Sequence, residues 1–215
     1  MEIKWFGQSC FAIAANNGTR IVIDPFDKKI GYPLPDLEAD ILTISHNHSD
    51  HNNVSIVRGE FEHLDKPGQY FERGISILGI STFHDNHGGF FRGNNTVFKY
   101  TIDDINVCHC GDLGHELSPE QIEQLGSVDI LLLPVGGLAT INASTAVAVM
   151  EQLKPVITIP MHYRTKALGL LGHLFSPVEK FLSLSHKTTM TIKNLNLTKE
   201  ELESYRGIVI LDYKV

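Results

Sequence analysis

Short apolar or alternating runs, separated by Gly, Asn, Asp and Pro, recur along the chain and predict strands. Glu2–Trp5, Cys10–Ala14 and Arg20–Ile23 come first, and Asn16-Asn17-Gly18 predicts a hairpin turn between the last two, because Asn and Gly tolerate positive φ. Asp40–Ser45, Ser76–Thr82, Thr96–Ile102 and Ile105–Cys108 continue the pattern. Val128–Leu133 is almost unbroken apolar sequence, and Val156–Ile159 and Ile208–Tyr213 complete the strands. Helical spacing intervenes at Ser118–Leu125, with Ser118 as N-cap and Pro119 in first position, and at Ala143–Leu153, closed by Pro155. Val178–Leu182 and Lys199–Ser204 also read as helical. No low-complexity linker or residue-level repeat divides the chain, which therefore reads as one domain over residues 1–215. Sheet-rich halves with interspersed helices imply an α+β protein, two sheets packed face to face with helices over them.

The polar residues just past the strand ends carry the chemistry. Asp40–Ser45 runs directly into His46-Asn47-His48-Ser49-Asp50-His51. Histidines at i and i+2 on a turn present imidazole nitrogens to one side, at the ~2.0–2.1 Å that zinc requires. Asp50 and His51, offset further, serve a second ion, and two-metal hydrolytic sites space their ions ~3.5–4 Å apart around a water that is hydroxide near neutral pH. Four residues do not fill two coordination shells. The remaining candidates also sit at strand ends: His84, Asp112 and His162, with a carboxylate such as Asp112 suited to bridging two cations.

Composition narrows the reading. The 215 residues are 42% hydrophobic and 20% charged, ordinary globular values, with eleven histidines. Eighteen basic against 25 acidic side chains give a net charge of -7, without the basic run that nucleic-acid binding favours. Three cysteines, Cys10, Cys108 and Cys110, make a poor disulfide framework. No secretory leader and no apolar run of ~18 residues is seen, so a cytoplasmic location without membrane association is expected. No G-x-S-x-G nucleophile elbow occurs.

An aspartate at an early strand end (Asp24), the His46–His51 run, a lone His84, Gly111-Asp112 and a late His162 succeed one another in an order that resembles the metallo-β-lactamase superfamily over nearly the whole chain. His109-Cys110-Gly111-Asp112, Pro134-Val135-Gly136-Gly137 and Pro160-Met161-His162-Tyr163 are similar to the short stand-alone hydrolases resembling L-ascorbate-6-phosphate lactonase. The resemblance implies a four-layer αββα sandwich with the site on one edge between the sheets. It implies His46, His48 and His84 as ligands of one metal, Asp50, His51 and His162 as ligands of the other, and Asp112 as the bridge. Asp24 is implied as a hydrogen-bond acceptor fixing a ligand imidazole.

The expected function is hydrolysis of a small-molecule ester, lactone, amide or phosphoester by a metal-bridging hydroxide, with Asp50 also orienting the hydroxide and His115 as a proton donor. Two divalent ions are expected, zinc first, with manganese, iron and nickel not separated by sequence. Di-iron redox relatives usually replace the second histidine of the motif with Glu, whereas His48 is retained here. Some 30 residues between His51 and His84 leave no room for a nucleic-acid clamp. Two alternatives stay open: a nuclease or phosphodiesterase acting on nucleic acid, and a metal-binding protein without turnover. Oligomeric state is not readable. His87 faces either the substrate or the pocket wall; Arg92, Asn95 and Arg164 read first as solvated loop residues, with anion contact as the alternative. His109 reads as a buried, hydrogen-bonded histidine, His63, His173 and His186 as surface or structural, and Cys110 as no ligand.

Overall fold

A computed structural model describes residues 1–213. Two sheets face each other across one large cluster of buried apolar side chains drawn from both. The N-terminal sheet contains six strands, among them Glu2–Gly7, Cys10–Ala14, Arg20–Ile23 and Ile41–Thr43. The other contains eight, with Ile105–His109, Ile130–Pro134 and Ile157–Met161 side by side at its centre. Alternation assigns each face. Along Cys10–Ala14 and Arg20–Ile23, Phe11, Ile13, Ile21 and Ile23 enter the inter-sheet core, whereas Cys10 and Val22 enter a smaller cluster behind it with Phe26, Tyr32 and Leu42. The central strands Ile130–Pro134 and Ile157–Met161 are buried at every position. Each Leu or Ile there contributes about 1.5–3 kcal/mol of transfer free energy.

Three α-helices are present among the described residues: α1 (Pro119–Leu125), α2 (Ala143–Leu153) and α3 (Val178–Ser185). Ser118 and Gln121 close a reciprocal capping box on α1, and Asn142 caps α2. Helices α2 and α3 pack together, and α2 lies against the strand Ile130–Pro134. The layer behind the N-terminal sheet is thinner. It is built from 3₁₀ turns at Lys28–Ile30 and Val54–Ile56 and the segment Lys166–Leu174, whose Leu168 fills the smaller cluster. The architecture is the α+β sandwich, with one outer layer reduced to such turns. The helix expected at Lys199–Ser204 is a 3₁₀ turn, Leu202–Tyr205. The eight-stranded sheet has two strands beyond those predicted: Gly68–Glu72, turned back onto Ile75–Phe83 through Arg73 and Gly74 at positive φ, and Thr189–Ile192, an edge strand parallel to Gly207–Leu211.

Strand direction decides where the site lies. Ile105–His109, Ile130–Pro134 and Ile157–Met161 run parallel, so their C-terminal ends meet on one edge. Ile75–Phe83 is two antiparallel steps from Ile105–His109 and therefore points the same way. In the facing sheet Arg20–Ile23 and Ile41–Thr43 are parallel neighbours ending at Asp24 and Ser45. A backbone bond from Thr96 N–H to the Ser45 carbonyl, 2.8 Å, joins the two sheets here. No helix among the described residues is long and apolar enough to cross a membrane.

Candidate metal centre

The strand Ile41–Thr43 delivers the loop 44–51 to this edge, where Ser45 N–H donates to Asp24 Oδ1 at 2.7 Å. Two sets of side chains converge: His46, His48 and His84, and Asp50, His51, Asp112 and His162. Within each set the ligating atoms all lie within 4.8 Å of one another. Asp112 stands between the sets. Its Oδ2 is 3.3 Å from both His84 Nε2 and His162 Nε2 and 4.0 Å from His46 Nε2, and its Oδ1 is 3.3 Å from His51 Nε2. Asp50 Oδ2 closes the second set at 3.4 Å from His51 Nε2 and 3.9 Å from His162 Nε2. All seven residues proposed as ligands from the sequence are thus brought together, His48 alone being exposed.

The hydrogen bonds behind the rings select the tautomer. His51 Nδ1 donates to Asp24 Oδ2 at 2.8 Å, as expected for Asp24. Ser45 Oγ donates to the same Oδ2 at 2.5 Å, which leaves the hydroxyl as acceptor for His46 Nδ1 at 3.0 Å. His84 Nδ1 donates to the Ala139 carbonyl at 3.1 Å. With the Nδ1 atoms so occupied, three Nε2 atoms are turned inward. The buried Nε2 atoms of His46, His51 and His162 and Asp112 Oδ1 have no hydrogen-bond partner among the described residues. Buried polar atoms are rarely left so, and imidazole nitrogens with carboxylate oxygens are the donor set of borderline divalent cations. The residues fit a metal pair.

The electrostatics differ across the cluster. Burial, reinforced by His51, pushes His46 down to about 3, and burial lowers His84 as well, so both stay neutral. Burial opposes charge on Asp112 too, yet His162 and His51 hold its carboxyl well below the usual range; His51 does the same for Asp50. His51, buried against Asp112, Asp50 and Asp24, is raised well above an ordinary imidazole because those carboxylates outweigh its desolvation.

Asp112 is placed by its surroundings. Gly111 sits at φ 54°, and a Cβ there would lie 2.4 Å from Asn95 Oδ1 and 2.6 Å from Ser45 Cβ. Only glycine lets the turn pack so closely. Likewise a Cβ on Gly136 would lie 2.0 Å from the carbonyl oxygen of His162. His109 is buried as expected: Nε2 donates to the Ser9 carbonyl at 2.9 Å and Nδ1 accepts from Gly111 N–H at 3.1 Å.

Several expectations for the surrounding residues are corrected. His115 has both ring nitrogens engaged by backbone, Nε2 accepting from Phe83 N–H at 3.1 Å and Nδ1 donating to the Glu116 carbonyl at 2.6 Å. It lines the cleft but has no free nitrogen for proton donation. Asn95 is buried and spent: Oδ1 accepts Asp112 N–H at 2.9 Å while Nδ2 donates to Thr82 Oγ1 and the Cys110 carbonyl. It positions Asp112 and does not face an anion. Arg164 donates to the carbonyls of Gly172, His173 and Phe175, bracing its own loop. Arg92 remains exposed, and His87 is exposed with its ring against Phe91. His63, His173 and His186 are exposed and lie outside the cluster.

Two residues near the site had no sequence signal. Asp85 accepts backbone N–H bonds from His87, Gly89, Phe91 and Arg92 at 2.8–2.9 Å, folding the loop after His84 around one carboxylate. Burial opposes its charge, but those amides hold it down at about 2. Gln8 donates from Nε2 to Asp50 Oδ2 at 3.0 Å.

Two clefts flank the cluster. One of about 530 Å³ lies beside His84, lined by Asp85, Arg92, His115, Thr140 and Asn142 among others. Another of about 510 Å³ borders His46 and His48 and includes Lys66 and Arg92. Arg92 is common to both.

Comparison with known proteins gives a consistent picture. Residues 2–162 match the β-lactamase superfamily domain, a stretch that ends on the last candidate ligand. The chain is 38% identical to a candidate Zn-dependent hydrolase of the metallo-β-lactamase superfamily from Thermotoga maritima, whose crystal structure superposes with a TM-score of 0.82 over 98% of this chain and 97% of that one. It is 33% identical over 193 residues to a UPF0173 metal-dependent hydrolase of Thermoplasma volcanium, covering 77% of this chain and 84% of the relative. A Thermoplasma acidophilum relative of the same description is 29% identical over 191 residues, 77% of this chain and 84% of the relative.

Proposed function

Because this chain belongs to the metallo-β-lactamase superfamily and its relatives are metal-dependent hydrolases, we propose that it is a binuclear hydrolase of a small-molecule ester, lactone, amide or phosphoester. The observation that carries the reading is Asp112, whose two oxygens reach toward ligands of both sets. A carboxylate so placed offsets the repulsion between two cations. His46, His48 and His84 would hold one ion and Asp50, His51 and His162 the other, with Asp112 shared. The ions would supply Lewis acidity and an activated water. Zinc, named for the Thermotoga maritima protein, suits this imidazole-rich set. No serine, cysteine or lysine nucleophile is needed.

The chain's own residues do the rest. Asp24 and Ser45 hold the imidazoles of His51 and His46 in one tautomer. Asp50, a quarter exposed, is the carboxylate that meets the incoming water. Arg92, at the junction of two clefts of small-ligand size, supplies one positive charge for an anionic substrate group. A phosphate polymer would need several cations along a track, whereas the chain carries 18 basic against 25 acidic residues and no basic run.

The test compares metal-loaded wild type with Asp112→Ala on lactones, phosphoesters and labelled RNA at near-physiological salt. Turnover of small anionic or cyclic esters, absent in the variant, is expected. Cleavage of RNA alone, lost in the variant, replaces this reading with a nuclease.

A further inference from the structure

Gln8 stands in the turn joining the strands Glu2–Gly7 and Cys10–Ala14, far in sequence from every candidate ligand. Its φ is 50°, the left-handed region that a residue bearing a Cβ seldom adopts, and it is 2% exposed. Two contacts tie it to the second ligand set. Its Nε2 donates to Asp50 Oδ2 at 3.0 Å, and its backbone carbonyl accepts the N–H of His162 at 3.1 Å. Trp5 Nε1 donates to that same carbonyl at 3.1 Å, fixing the turn against the core. An ionised carboxylate only accepts hydrogen bonds, so the amide nitrogen must be the end that faces Asp50. The other end, Oε1, is then buried without a partner among the described residues.

A left-handed backbone and a half-satisfied buried amide both oppose stability. Glycine or asparagine would relieve the first, and a shorter or apolar side chain the second. Both costs fall on the one residue that touches Asp50 through its side chain and His162 through its backbone.

We propose that Gln8 is a positioning residue of the second metal half-site, aiming the Asp50 carboxylate through its amide while its carbonyl sets the backbone of His162. The inference rests on the binuclear reading above. It is tested on the full chain with Gln8→Asn and Gln8→Ala. Asparagine tolerates the left-handed backbone, so it preserves the fold while withdrawing the amide by one methylene. Zinc affinity is measured by competition with a chromophoric chelator, cobalt-loaded protein by its visible spectrum, and the fold by thermal unfolding. Wild type should bind two ions. Both variants should bind one of the two about 10- to 100-fold more weakly, the range for losing a residue that orients a ligand, with the other unchanged. Only one set of cobalt bands should shift, and the thermal midpoint of metal-free Gln8→Asn should stay near wild type. Equal weakening of both ions in step with a lower thermal midpoint overturns the proposal in favour of a purely structural role. So does unchanged affinity for both ions. A wild type that binds a single ion overturns the binuclear reading itself, and this inference with it.

Discussion

His46, His48 and His84 bring no carboxylate of their own to the cluster and leave His48 open to solvent, whereas Asp50, His51, Asp112 and His162 bring two carboxylates and an imidazole braced by a third, Asp24. Burial keeps His46 and His84 neutral, with His46 at about 3. The second set is charged, with His51 raised by the carboxylates around it, the Asp112 carboxyl lowered by His162 and His51, and that of Asp50 lowered by His51. A cation entering the first set meets no competing proton on His46 or His84, and the carboxylate it can reach is the shared Asp112, Asp24 standing behind His46 beyond Ser45. A cation entering the second set meets strong negative charge and must displace a proton. The half-sites should therefore differ in retention and in pH dependence, although each brings its ligating atoms within 4.8 Å of one another.

The largest effect should come from the residue they share. Asp112→Ala removes the one carboxylate that both sets share, and with it one of the two carboxylates of the second. It should strip the chain of both ions and take turnover with them, a loss exceeding the roughly 10- to 100-fold of changes around a metal site. His186→Ala, at an exposed histidine beyond the end of α3, is the control and should leave metal content and turnover alone. Metal analysis after gel filtration decides it; retention of one full equivalent in Asp112→Ala would mean that one half-site needs no bridge.

A smaller, one-sided effect is expected from His48→Ala. His48 is the exposed member of the first set, its ring centroid 4.6 Å from that of His46 and 5.0 Å from that of His84. Removing it should lower occupancy of one ion and leave the other, with a change in folding stability within the ±0.5 kcal/mol usual for surface positions. Competition titration and urea unfolding of the metal-free proteins give the two numbers. Loss of both ions together would erase the distinction between the half-sites.

How much of this was legible in sequence depends on where each signal lives. His46-x-His48-x-Asp50-His51 is local, so its spacing alone suggested two ions. His84, Asp112 and His162 were legible because each comes after a strand, and strand ends on one edge converge. Asp24 was legible only through family resemblance. Gln8 and Asn95 reach Asp50 and Asp112 across 42 and 17 residues, and no pattern in the chain marks such a contact. His115 and Arg164 were misread for a related reason. Proximity to a motif does not reveal that backbone carbonyls and amides already claim the side chain. Among strands, Gly68–Glu72 was missed because no position along it is fully buried, so its apolar signal is weak. The layer behind the N-terminal sheet carried no sequence signal: Lys166–Leu174, rich in leucine, turns at Gly169, whose φ/ψ of 54° and -133° is not helical.

The subtlest consequence of the comparison is a proton. In the metal-free chain His51 Nδ1 faces Asp24 at 2.8 Å, while Nε2 lies 3.3 Å from Asp112 and 3.4 Å from Asp50. Burial disfavours the imidazolium, but the surrounding carboxylates, Asp112 foremost, outweigh it and raise His51 well above 6.5. A group raised in the folded state stabilises the fold fully below its unfolded value, and that stabilisation is lost as pH rises through the folded value. The metal-free chain should thus exceed His51→Gln in stability most clearly below pH 6.5 and lose the advantage progressively above it. The partner carboxyls, lowered in the fold, set the other limit: their contribution is present above 3.8 and fades as acid protonates them. An ion taking Nε2 must expel the proton, so loading the second half-site near neutral pH should release about one proton per chain. The first half-site, with His46 already neutral, should contribute none from that residue. Calorimetric titration of zinc in buffers of different ionisation enthalpy counts these protons. A count near zero for both ions would mean that His51 is neutral before metal arrives, and the electrostatic contrast between the half-sites would not survive.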